Sequence, residues 1–88
     1  MSASFNGYAK GDEMTIQDIR EKRNMPFLKV GMRVFSTHSN RYGIVTGANT
    51  SQNINVKFDG DKHTQNCHPH WKMKYFNKIG SLVAEYGA

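Results

Sequence analysis

Residues 54–60 read "INVKFDG", and this alternation of apolar and polar side chains limits the fold more than any other feature of the chain. In an extended segment successive side chains point to opposite faces, so Ile54, Val56 and Phe58 share one side while Asn55 and Lys57 share the other. Such a segment is a strand with one dry and one wet face, closed here by the turn pair Asp59-Gly60. The same period recurs along the chain. "KVGMRVFST" (29–37) sets Val30, Met32 and Val34 against Arg33 and Phe35. "YGIVTGA" (42–48) is strand-like but flanked by glycine, which predicts bends where a sheet curls. "HWKMKYF" (70–76) groups Trp71, Met73 and Tyr75 on one face, with Lys72 and Lys74 on the other. The polar turns "HSNR" and "NTSQN" separate these runs. "GSLVAEYGA" (80–88) reads as a last strand or a turn of helix, with Leu82 and Val83 apolar.

Short strands at this even spacing predict a mainly β protein: a small five-stranded antiparallel sheet that must protect its edges. Closing the sheet into a barrel does so. "MTIQDIREKRN" (14–24) predicts one short helix over about 15–24, with Thr15 as its cap, Asp18 as the acid of a capping box, and Met14 stapled against Ile19. Ile16, Ile19 and the stem of Arg23 line its inner side, and Asn24 and Pro26 stop it. So short a helix is marginal alone and must lie on the sheet, plugging one open end of the barrel. Residues 1–13 are small, polar and broken by glycine. They read as a flexible arm that orders only if Phe5 and Tyr8 dock.

At 88 residues the chain makes one domain, 14–88, with a thin core. That core is expected to contain Val34, Ile54, Val56, Phe58, Trp71 and Tyr75. A hydrophobic fraction of 38% argues against disorder. Twelve Lys and Arg against seven Asp and Glu give a net charge of +5, which favours anionic partners but also serves solubility. A single cysteine excludes an internal disulfide framework. No charged-then-apolar leader and no membrane-length apolar run is seen, so the expected location is cytoplasmic, with no membrane partner.

The segments Gly31-x-Arg33-Val34, Tyr42-Gly43-x-Val45-x-Gly47 and Asn55-Val56-Lys57-Phe58 together look like the opening strands of Src-homology-3-type barrels, especially KOW and Tudor-like modules. Those families also place a glycine before the first strand and a Gly-x-Val in the second. The resemblance covers about 30 residues. It implies binding rather than catalysis: nucleic acid, a ribosomal protein, or a modified side chain in an aromatic cage. The chain has no four-aromatic cage, because Phe58, Trp71 and Tyr75 are assigned to the core. Together with "NCHPHWKMKYF" the same stretch is similar to short uncharacterised proteins of phages and mobile gene cassettes, a resemblance that implies no function. Type II dihydrofolate reductases are also tiny barrels, and their tetramer carries a Val-Gln-Ile-Tyr strand in a central pore. "KMKY" (72–75) matches that strand at the tyrosine alone, and a shared fold does not fix function.

The densest chemistry in the chain is "HTQNCHPHWKMKY" (63–75). Cys67 and His68 are adjacent and would face opposite ways in an extended segment, so they do not share a metal readily. His68 and His70, kept extended by Pro69, could form an open site with His63. The spacing falls short of zinc motifs, and no metal or cofactor is expected. Cys67 reads as a small buried hydrophobe rather than a nucleophile. The basic strand face is the stronger signal. Arg33, Lys57, Lys72 and Lys74 fall on outward positions, and Arg41 and His38 lie at the first turn. Phosphate contacts from such residues hold nucleic acid without reading its sequence, and Tyr42 and Phe35 could stack on bases. The expected function is therefore a non-enzymatic nucleic-acid-binding module, with Arg33, Arg41, Tyr42, Lys57, Lys72 and Lys74 as its site. The alternatives are a protein-binding or self-associating (homo-oligomeric) module of a phage or mobile-element accessory protein, with apolar rim residues governing association, and a small oligomeric enzyme of the type II dihydrofolate reductase kind.

Overall fold

The computed structural model describes residues 14–87. The residues of the expected N-terminal arm, 1–13, lie outside them. The helix α1 spans Ile16–Lys22 and forms as its sequence dictates. The Thr15 hydroxyl accepts from the Asp18 N–H while the Asp18 carboxylate accepts from the Thr15 N–H, which completes the capping box. Arg23 caps the other end, and Asn24 takes a left-handed φ of 55° that turns the chain away, so the helix is shorter at both ends than 15–24. The Arg23 guanidinium bonds the Gln52 carbonyl at 2.8 Å and the Asn53 side chain at 3.1 Å, tying the helix end to the 49–53 turn.

Six strands follow: β1 Arg33–Ser36, β2 Arg41–Ala48, β3 Ile54–Phe58, β4 Gln65–Cys67, β5 Met73–Phe76 and β6 Leu82–Tyr86. They form one antiparallel sheet of order β4-β3-β2-β1-β5-β6. Among the described residues the end strands β4 and β6 do not pair with each other, so the sheet is open rather than a closed barrel, and it has six strands rather than five. The additional strand is β4. It is a short edge strand whose residues Gln65 and Asn66 are exposed, so it shows no apolar alternation.

One face of the sheet is dry. Phe58, Gly43, Val34, Tyr75 and Ala84 lie side by side in register across five strands. Phe58, Val34 and Tyr75 join Val45, Ile54, Val56 and Met73 in one buried cluster that also holds Ile16 and Ile19 of the helix, and Ala84 packs against it. Gly43 has no side chain for a reason: a Cβ there would lie 2.7 Å from Val56 Cγ1 and 3.0 Å from the Lys57 carbonyl. Met25 and Leu28, in the turn after the helix, are wholly buried as well, and the Phe27 ring meets Tyr75 edge-on at 5.5 Å.

The expected core holds at five of its six positions. Trp71 is the exception, being 50% exposed. The cause is a turn between His68 and Lys72. The Trp71 N–H donates to the His68 carbonyl, and Lys72 takes a left-handed φ of 50°, so the alternation begins only at Met73. Val30 is 61% exposed for a similar reason. Gly31 has a φ of 91° and β1 starts at Arg33, so Val30 is not in phase with Val34. In β6 the inward residues are Ala84 and Tyr86, while Leu82 and Val83 face solvent. No helix among the described residues is long and apolar enough to cross a membrane.

Candidate functional site

The opposite face of the sheet carries no covering element among the described residues, and its composition is unusual for a wet surface. In one cross-strand row Lys57, Ile44, Arg33, Phe76 and Leu82 are neighbours. In the next row Tyr42, Phe35, Lys74 and Glu85 are neighbours. Alternation places these side chains together because Val34, Gly43, Val45, Val56 and Tyr75 between them are buried. The rings form a contiguous group. Phe35 and Tyr42 have centroids 4.6 Å apart, and Tyr42 and Phe76 are 6.2 Å apart. Tyr42 is 47% exposed, and Phe35 and Phe76 are partly exposed.

Four of the six expected site residues, Arg33, Tyr42, Lys57 and Lys74, therefore share this face. Arg33 is also engaged within the protein. It holds the Asp59 carboxylate through two bonds, of 3.1 and 2.8 Å, and its guanidinium lies 5.3 Å from the Tyr42 centroid. The ion pair is solvent-exposed and sets the guanidinium beside the ring. Lys57 and Lys74 form no ion pair among the described residues, although Lys74 faces Glu85 in register.

Arg41 and Lys72 are placed elsewhere. Arg41 sits half-buried beside the Phe58 ring and pairs with Asp61 at 2.8 Å. The bond raises the Arg41 pKa and holds the Asp61 carboxyl below its ordinary value, with Lys57 adding a weaker attraction. Lys72 stands at the sheet end with its ammonium 5.6 Å from the Trp71 centroid, and His38 meets that indole at 4.9 Å. These three make a separate aromatic and basic corner.

Among the described residues no three His, Cys, Asp or Glu side chains come together to hold an ion. Cys67 packs against the core, and burial pushes its thiol pKa up, which is the wrong direction for a nucleophile. His68 accepts from the His70 N–H, and desolvation, then Arg23 and His70, lower its pKa. His70 lies nearly parallel to the Tyr86 ring at 4.4 Å, with Nε2 buried and without a partner among the described residues. Tyr75, the single position shared with the reductase pore strand, is wholly buried, and its hydroxyl donates to the Pro69 carbonyl at 2.6 Å. Burial, then Tyr86 and Cys67, push its pKa up.

Sequence reasoning missed Phe76 and Ile44 as members of the exposed face. The signal for Phe76 was present, since it continues the outward phase of Lys74. Comparison with known proteins gave no matching family model, no matching curated protein and no matching solved structure.

Proposed function

We propose that this chain is a non-enzymatic binding module that holds single-stranded nucleic acid on the open face of its sheet. The observation that carries the reading is the ring group of Phe35, Tyr42 and Phe76 on the solvent side of a sheet that buries its other face. Rings of this kind offer flat surfaces for unpaired bases, and Lys57, Lys74 and Arg33 stand around them to meet phosphates. The net charge of +5 draws a polyanion to the molecule. The likeness to Src-homology-3-type modules belongs to the same proposal. Its support is the register shift in β2 between Val45 and Gly47 and the close approach of the facing strand at Gly43.

The test is fluorescence anisotropy with labelled oligo-dT, oligo-U and a duplex of matched length. Phe35→Ala, Tyr42→Ala and Phe76→Ala should each weaken single-strand binding by about 5- to 150-fold, from ~1–3 kcal/mol per stacked base. Lys57→Gln and Lys74→Gln should each lower the salt slope by about 0.7. Duplex bound as tightly as single strand, with no effect of the ring variants, would refute the stacking role. A second reading is self-association, favoured by the exposed Ile44 and Leu82 in the row that contains Phe76. Absent binding at low salt together with a defined dimer would establish that reading instead.

A further inference from the structure

We infer that a groove at the end of the open face takes one base of the bound strand, splayed out of the stack. The inference rests on the single-strand reading above and adds a second subsite to it. The groove has a volume of about 500 Å³, a size that suits one small flat ligand. Phe27, Val30, Phe76 and Val83 supply its apolar walls. Arg33 and Phe76 belong both to the groove and to the face that carries Tyr42. A strand stacked against Tyr42 and Phe76 therefore brings its next nucleotide to the mouth of the groove.

Charge selects the occupant. Lys29 and Lys78 line the groove, are exposed, and form no ion pair among the described residues. Among the described residues, no Asp or Glu lines the groove. An apolar slot between unpaired cations fits a ligand that joins a flat apolar group to an anion, which describes a nucleotide within a strand. Asn77 supplies a polar contact. Its side-chain oxygen accepts from the N–H of Ile79 at 3.1 Å and of Ser81 at 2.9 Å, which fixes the amide. Its NH2 group has no partner among the described residues and is left to donate to an acceptor on the base edge. That contact orients the base and does not by itself choose among bases.

The experiment uses the full chain and oligo-dT carrying a single abasic residue at successive positions, read by anisotropy. Beyond the positions that report stacking, one further abasic position should weaken binding by about 5- to 10-fold. Val83→Trp, which fills the groove from an exposed site, should weaken binding to intact oligo-dT and make that position silent. Tyr42→Ala should weaken binding yet keep the position sensitive. The double variant Lys29→Gln/Lys78→Gln, which is safe for folding because both side chains are exposed, should also reduce the sensitivity. If Tyr42→Ala weakens binding while Val83→Trp and the lysine pair bind as the parent does, the groove subsite is refuted and the stacking face stands. If the parent binds no single strand at low salt, both are refuted. Thymidine monophosphate that shifts the Val30 and Val83 methyl signals at the same concentration as oligo-dT would overturn the inference in favour of a free-nucleotide site.

Discussion

Gly43 and Gly47 lie on the same strand, and their replacement by alanine separates packing from backbone freedom. Neither glycine has a left-handed φ, so alanine fits both backbones. Where alanine fits, it stabilises by about 0.4–1 kcal/mol, because the unfolded chain loses freedom. At Gly47 nothing among the described residues lies within 4 Å of the added methyl, so this gain should stand. At Gly43 the methyl meets Val56 Cγ1 at 2.7 Å, and the Lys57 carbonyl and Phe58 Cδ1 each at 3.0 Å. The carbonyl belongs to the paired strand β3, and Val56 and Phe58 are themselves packed in the core, so none can yield cheaply. Overpacking of this kind costs about 1–3 kcal/mol, which exceeds the entropic gain. Gly43→Ala should therefore lose about 1–2 kcal/mol, and Gly47→Ala should gain a few tenths or more. In a domain of this size each kcal/mol moves Tm by about 4–8 °C. Thermal melting followed by circular dichroism should lower Tm by about 5–15 °C for Gly43→Ala and raise it slightly for Gly47→Ala. A Gly43→Ala protein as stable as the parent would refute the close approach of β2 and β3. Equal losses at both sites would refute the packing argument altogether.

Phe58→Ala should cost about 3–5 kcal/mol, a large share of the stability of a small domain, whereas half-exposed Trp71→Ala should cost well under half as much. Urea denaturation of the two variants checks this, and equal losses would return Trp71 to the core. Tyr75→Phe removes the donor to the buried Pro69 carbonyl and should cost about 1–3 kcal/mol, again read from urea midpoints. Acid should weaken the fold partly through Asp61. Arg41 lowers its folded pKa, so the contribution is complete above the ordinary carboxylate value of about 3.9 and is lost as pH falls through the folded value. Asp61→Asn should therefore show a shallower loss of stability below pH ~4, and an unchanged acid slope would show that the pair contributes nothing.

Much of the fold is legible in single residues. Ile54, Val56 and Phe58 alternate with polar neighbours, so the face they bury follows from strand geometry alone. Thr15 and Asp18 are three apart before an apolar pair, so the helix start follows from capping chemistry. The outward placement of Arg33, Lys57 and Lys74 was legible too, because each lies out of phase with a buried neighbour, whereas Lys72, expected beside them, stands in the turn next to Trp71. What the sequence could not determine depends on positions that break period two. Trp71 leaves the core and Val30 falls out of phase with Val34 because Lys72 and Gly31 take left-handed conformations, a choice made by the turns they must close. Strand β4 pairs through backbone groups and carries too few apolar side chains to reveal itself. The engagement of Arg33 by Asp59 and of Arg41 by Asp61 joins residues that only strand pairing brings together. Alternation records which way a side chain points, and so was readable. Partners distant in sequence are set by register, and register exists only once the sheet has formed.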